Sequence, residues 1–542
     1  MLAAVSLTAC TEPQPSQPER GGTVVIATTS DADILFPPLV QRTTARQVTE
    51  LIYDYLTEVS PSLNTVDDRT FARRLAKSWD WSNDSMSLAV HLEPGARWHD
   101  GQPVRSDDVT YSYHAYTDTA LGSPMKSQLA AIDSVTGSDS LTAVFWFNKR
   151  YPLQFYDATS QMQILPRHVF ASVPPDSIRA FVAATRPVGS GRYRFVSWKP
   201  GESIELAADT VNYRGAPKIN RLIWRIMPSV TSATKALFAG EADIYDTMRP
   251  EDVAQAAADS SVKVLVSPGA DYAFLAFNLK EPKQSTKGNR LFASRELRRA
   301  LSMAVDRDAM VRNVFDSLAL AGIGPTIRAF PSTDSLLPQL PYDTVRAAQI
   351  LDSLGWRIDP RTKVRAKNGQ QLRFSVLVPS SSLNRMRMGV LLQEQLRKIG
   401  VAVDLDQMDF SSLATRIGNR DFDAALWSWH LGTNAAAIRE IWTGEAATMD
   451  GNNFGSYVNP VFDAYVDSAV NTFDPSKTKA YYTRAYETVI EDAPAIWLYD
   501  PKMVLGIHRR LRSGPMRPDS WWWALGDWYI PAAERIPRDG AQ

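Results

Sequence analysis

The stretch from Phe374 to Leu405 constrains the fold more than any other part of this chain. An apolar run, Phe374 to Val378, is followed by a helical pattern from Asn384 to Ile399 that stops at Gly400, and then by a second apolar run, Val401 to Leu405. A strand, a long helix and a strand in that order close as a right-handed crossover between two parallel strands, so this half is α/β. The same mixture extends along the chain. Thr23 to Ala27 and Tyr272 to Leu279 are short apolar runs that fit buried strands. Ser85 to Leu92 alternates, with Met86, Leu88, Val90 and Leu92 on one face, and turns at Pro94-Gly95. Ser106 is placed to cap a helix whose first turn holds Asp107 and Asp108, and Val230 to Ala239 reads as a helix ended by Gly240. Ser294 and Asp306 cap two successive helices, one with Leu297, Leu301 and Ala304 on its stripe, the next with Met310, Val314 and Leu318.

At 542 residues the chain exceeds what one core supports, and two to four domains are expected. Lys plus Arg equals Asp plus Glu at 59 each, so no net field favours nucleic acid or an anionic bilayer. Beyond Leu7 no stretch approaches the ~20 apolar residues that cross a membrane. Cys10 is the only cysteine, which excludes an intramolecular disulfide, a CxxC pair and a cysteine-rich zinc site. It follows Leu7-Thr8-Ala9 at the end of a short apolar run, a placement that suits an attachment point. Residues 11–20, TEPQPSQPER, carry three prolines among polar residues and read as an extended tether. The folded body is expected to begin at Gly21.

Catalytic constellations are scarce in this sequence. None of the six histidines forms HExxH or another i, i+4 pair, so no preformed metal site and no cofactor is expected. No GxSxG elbow and no P-loop occurs, and Gly322-Ile323-Gly324-Pro325 reads as a loop. The acid pairs Asp67-Asp68 and Asp107-Asp108 sit beside turn and cap signals, which favours a structural use over a glycosidase pair. Weight therefore moves toward binding. The aromatic content supports this, with Trp427 and Trp429 on one side of the strand expected over Phe422 to Trp429 and a Gly-Thr-Asn loop just beyond. The triple Trp521-Trp522-Trp523 is read as structural, alternating in a strand or wrapping onto the body.

Several segments resemble one family in order. Leu92-Glu93-Pro94-Gly95-Ala96-Arg97-Trp98-His99-Asp100-Gly101-Gln102-Pro103-Val104, followed by Ser106-Asp107-Asp108-Val109, resembles a motif of the extracellular solute-binding proteins of peptide and nickel ABC importers, bacterial family 5. Arg186 to Tyr193 is similar to P-V-G-T-G-P-Y, Leu237 to Asp243 to A-L-x-x-G-E-x-D, and Leu297 to Asp308 to V-R-x-A-L-x-x-A-I-D-R. Tyr457-Val458-Asn459-Pro460 and Asp492 to Tyr499 match Y-x-N-P and D-x-P-x-I-P-L-Y. The segment ending at Cys10 resembles a lipobox, whose cysteine is acylated; acyl chains gain ~0.8 kcal/mol per buried CH₂, and more than one chain gives stable anchoring. It lacks a positive n-region, so a truncated signal peptide over 1–10 and a start codon further upstream are expected.

The resemblance implies an α/β, two-lobed periplasmic-binding fold with a ligand cleft between the lobes. Lobe I comprises residues 21–60, 185–271 and 488–542, with a β-rich subdomain at 61–184; lobe II comprises 272–487. Hinge crossings are expected near Tyr272 to Asn278 and Asp492 to Tyr499. The Trp98-His99-Asp100-Gly101 turn is scaffold in this reading. The function implied is non-enzymatic: a monomeric, lipid-anchored extracytoplasmic receptor that closes on a solute, by default an oligopeptide, and delivers it to an ABC permease and ATPase. A surface-anchored hydrolase of saccharides or peptides is the alternative, and a receptor-derived peptide chaperone or sensor a third possibility. Candidate ligand-binding residues are Asp31, Asp33, Tyr272, Phe274, Asn278, Trp427, Trp429, His430 and Asn434. Peptide-binding relatives hold the ligand's α-ammonium with an aspartate shortly after the tryptophan; here His430 stands at that place and no acid follows before Glu440. His430 is therefore read as facing an anionic or neutral solute or a metal chelate, with Asp31 as the other carboxyl able to compensate a cation.

Overall fold

A computed structural model describes residues 20–184, 186–448 and 451–540. Cys10 and all of the expected tether except Arg20 lie outside the described residues. Three larger sheets organise the chain. The first has seven strands, in the spatial order Val262–Ser267, Met503–His508, Ile244–Tyr245, Thr23–Thr28, Arg221–Ile226, Ser203–Ala208 and Tyr193–Lys199. The second has six, in the order Ala319–Ala321, Ala495–Pro501, Asp271–Phe277, Ala424–His430, Arg373–Pro379 and Ala402–Met408. Each forms the centre of one lobe. A four-stranded antiparallel sheet, running from Ala76–Trp81 to Ile132–Asp139, builds the subdomain on lobe I.

The crossover expected from the sequence is present. Arg373–Pro379 and Ala402–Met408 pair in parallel around the helix Leu383–Lys398, and Gly400, at φ 79°, turns the chain out of that helix. Ser87–Leu92 also behaves as its alternation demands, burying Leu88, Val90 and Leu92. Ser294 and Asp306 accept hydrogen bonds from Leu297 N and Ala309 N at the starts of their helices. Ser106 is different. It is the first residue of its helix rather than the cap, and its hydroxyl donates to the Asp139 carbonyl at 2.5 Å. Asp108 satisfies the helix start instead, accepting from the Arg105 N–H at 2.9 Å, because a carboxylate one turn inside reaches back to that donor.

The crossings between lobes lie outside the strands expected to form them. Asp271–Phe277 is an interior strand of the second sheet, so the first crossing is the short segment after Ser267. Ala495–Pro501 belongs to the same sheet, and the return falls between Pro501 and Met503 rather than near residue 488. Both strands are buried along most of their length and rich in apolar residues, so they gain most inside a sheet and leave the reversal to Pro and Gly residues. The two crossings touch: a Cβ on Gly269 would lie 2.3 Å from the Pro501 carbonyl oxygen.

Candidate functional site

A cavity of about 680 Å³ opens between the lobes. Lobe I supplies Arg46, Thr49 and Glu50 from the helix Thr43–Ile52. The subdomain supplies Tyr151, Tyr156 and Asp157, on and just before the helix Gln154–Ser160. Lobe II closes the space with the segment His430 to Asn434 and with Glu440 of the helix Ala437–Trp442. Contacts between the lobes include the Tyr156 and Thr433 hydroxyls, hydrogen-bonded at 2.8 Å, an Arg46 guanidinium nitrogen 3.3 Å from His430 Nε2, and Arg150 over the Phe473 ring, 4.9 Å from its centroid.

Beneath this contact Asp519, whose side chain is fully buried, accepts from Arg517 Nε at 2.6 Å and Arg46 Nη2 at 2.9 Å. Burial acts to raise the Asp519 carboxyl, but the two guanidinium groups overcome it and bring it down to about 2. Asp157 shows the opposite balance. Burial pushes its carboxyl up to about 7, against the hydrogen bonds from Tyr151 and Gln161, and the charge of Glu440 adds to the rise. Burial raises Glu440 as well, with Arg439 opposing. The cleft thus combines aromatic and polar walls with one pair of carboxyls whose ionised forms are disfavoured.

The sequence profile described as "Bacterial extracellular solute-binding proteins, family 5 Middle" matches residues 70–446. This chain belongs to that family. It is 24% identical over 97% of its length to the oligopeptide-binding protein AppA of Bacillus subtilis, covering 97% of that protein. It is also 24% identical over 86% of its length to heme-binding protein A of Haemophilus influenzae, covering 85% of it. Among solved structures, AppA from Bacillus subtilis with a nonapeptide superposes with a TM-score of 0.81 at 23% identity, covering 95% of this chain and 100% of that one. NikZ from Campylobacter jejuni with Ni(L-His) gives 0.79 at 24%, covering 94% and 99%. The two-lobed fold is that of the family. Its members are solute-binding proteins, and the hydrolase alternative finds no support among them.

The family 5 fold gathers only part of the residue set proposed from sequence. His430 and Asn434 line the cleft, His430 lying 3.4 Å from Asp271 as well as beside Arg46, and Asn434 accepting from the Ala436 N–H. Trp427 and Trp429 are on the other face of their strand. They pack against Phe454 and line a separate space of about 10 Å³ inside lobe II, too small to admit a solute. Tyr272 and Phe274 stack at 5.5 Å in the core, and the Tyr272 hydroxyl accepts from Trp442 Nε1. Asn278 is fully buried and donates to the Arg420 and Phe422 carbonyls. Asp31 accepts from Trp198 Nε1 and Gly201 N, and Asp33 from Gln41 N; both shape loops of lobe I outside the cleft wall. The physical reason is shared. Rings or local hydrogen bonds hold each of these side chains within its own lobe, although the buried Trp427 Nε1 is held by ring packing alone, without a hydrogen-bond partner among the described residues.

Trp98 is 1% exposed and donates to Asp108, while His99 accepts from Gly189 N and bonds the Gly191 carbonyl. The motif is scaffold, as expected. Tyr156, Asp157, Thr433 and Glu440 were not anticipated. The available signal was a carboxyl directly after the aromatic pair Phe155-Tyr156. No group of three or more His, Cys, Asp or Glu side chains able to hold a metal occurs among the described residues, and no helix there is long and apolar enough to cross a membrane.

Proposed function

We propose that this protein is the solute-capturing component of an ABC importer, anchored at the extracytoplasmic face through an acylated Cys10 and taking an oligopeptide or a solute of similar size. The observation that carries the reading is the cavity of about 680 Å³ walled by both lobes, which falls within the range of small-molecule sites. Solute bound to one lobe gains its remaining contacts only when the other closes, so capture and closure share one free energy. Micromolar capture needs about −8.2 kcal/mol net. The closed monomer then docks on a permease driven by an ATPase. An oligopeptide-binding protein and a protein solved with Ni(L-His) both share this fold, so the solute is assigned by experiment. Native mass spectrometry of the purified protein is expected to release an intact small solute; recovery of a supplied peptide in cut form would reject the receptor reading.

Of the candidates named from the sequence, His430 is best placed to touch that solute. His430→Ala is expected to weaken binding of the co-purified solute about tenfold by titration calorimetry, the effect of losing one charge-assisted hydrogen bond of about 1.5 kcal/mol. An unchanged affinity removes His430 from the site.

A further inference from the structure

Asp157 and Glu440 project into the same cleft from different lobes. Most cations around it are already engaged: Arg46 by Glu50 at 2.8 Å and Asp519 at 2.9 Å, Arg517 by Asp519 at 2.6 Å, and Arg439 by Glu445 at 3.1 Å and Asp467 at 3.5 Å. Lys149 lies over the Tyr151 ring, 5.5 Å from its centroid. Asp157 Oδ2 accepts from the Tyr151 hydroxyl at 2.6 Å, and its other oxygen has only a long contact of 3.5 Å with Gln161. No hydrogen bond or ion pair to the Glu440 carboxyl occurs among the described residues. A partly buried carboxylate in that condition is costly to keep ionised, and two of them brought together by closure are costlier.

We propose that Asp157 and Glu440 form a cation-binding pole of the cleft, which selects solutes bearing an ammonium group and makes that group a condition of stable closure. The proposal rests on the solute-capture reading and goes further by naming what the solute carries. In the empty closed form one carboxyl must hold a proton or the lobes are pushed apart. An ammonium seated between them replaces that proton, donates to the free oxygens of both walls and converts repulsion into attraction. Only the closed state offers both carboxylates, so the charge of the solute is read by the lobes jointly.

An α-ammonium and a lysine side chain present the same chemistry, and four pentapeptides distinguish them: Ala-Ala-Xaa-Ala-Ala with lysine or norleucine at the centre, each with a free or an acetylated N-terminus. By calorimetry at pH 7, at least one ammonium-bearing peptide is expected to bind wild-type protein tenfold or more tighter than the acetylated norleucine peptide, and the tighter arm identifies the source. That ratio is expected to fall to about one in Asp157→Asn and in Glu440→Gln, isosteric changes whose folding is checked by thermal melting. Equal affinity for all four peptides overturns the proposal and leaves solute capture standing. Failure of all four to bind rejects peptide capture and the proposal with it.

Proton linkage supplies a readout that a structural role would not move. With the Asp157 carboxyl near 7 in the empty protein, ammonium binding at pH 7 is expected to release about half a proton, and affinity to rise about fivefold from pH 6 to pH 7. The groups around Asp157 are Tyr151 and Lys149 from the preceding loop, Gln161 from the following turn, and Glu440 and Arg439 from the helix across the cleft. His430 shares the wall, and Asp157→Asn, which leaves it in place, separates its contribution. A pH profile in Asp157→Asn identical to that of wild type overturns the assignment of the proton to Asp157.

Discussion

Gly189→Ala is expected to prevent the protein from folding at ordinary temperature, with a loss of about 4 kcal/mol or more. A Cβ on Gly189 would lie 1.9 Å from the Ile52 carbonyl oxygen and 2.6 Å from its carbon, and one on Gly191 would lie 2.3 Å from the Leu51 oxygen. These obstacles are backbone, so no rotamer change relieves them. The strand entrance cannot retreat either, because Gly191 N donates to Ile52 O at 2.8 Å and His99 N donates to Gly189 O at 2.7 Å. Three segments are locked there: the end of the helix Thr43–Ile52, the Trp98-His99 turn and residues 189–191. That helix delivers Arg46 and Glu50 to the cleft, so a variant that survived by shifting it would also lose solute affinity. Gly95→Ala is the matched control. Its Cβ would meet only the Glu93 carboxylate, at 3.8 Å, and a change within about 0.5 kcal/mol is expected. Calorimetric melting of both variants decides, and a Gly189→Ala melting point close to wild type would sink the argument.

The legible part of this molecule was the part governed by local pattern. Alternation placed Leu88, Val90 and Leu92 inward, and the crossover at 373–408 paired in parallel because a strand, a helix and a strand leave few other solutions. The Trp98-His99-Asp100-Gly101 turn is the scaffold its motif implies, since His99 bonds Gly189 N and the Gly191 carbonyl within lobe I. The site was less legible. Trp427 and Trp429 were rightly set on one side of their strand, yet which side faces the cleft depends on the partner strands, and that information is spread over Asp271–Phe277 and Arg373–Pro379. Tyr272 and Asn278 looked functional because they are polar groups near a crossing, but burial with a satisfied partner is decided by residues up to 170 positions away, as with Trp442. Asp157 and Glu440 are 283 apart in number, and nothing local announces that closure brings them to one cavity.

Asp519→Asn is expected to cost about 3–5 kcal/mol at neutral pH, because removing one partner of a buried ion pair strands the other charges. Arg517 is held by Asp519 through both Nε and Nη2, at 2.6 and 3.1 Å, and reaches the Val59 carbonyl with Nη1 at 2.9 Å. Arg46 reaches the same carboxylate from the helix Thr43–Ile52. An amide supplies no charge and turns a donor toward one of these guanidinium groups. The pH dependence distinguishes this loss from simple misfit. With a carboxyl near 2 in the folded state and about 3.9 unfolded, Asp519 contributes about 2.5 kcal/mol that is fully present above pH 4 and vanishes as the pH falls through 2. The gap between wild type and Asp519→Asn in denaturant unfolding is therefore expected to be constant from pH 5 to 7 and to narrow steadily below pH 4. A gap that stays the same width down to pH 2.5 would show that the carboxylate's charge is not what binds Arg46 and Arg517 into the floor of the cleft.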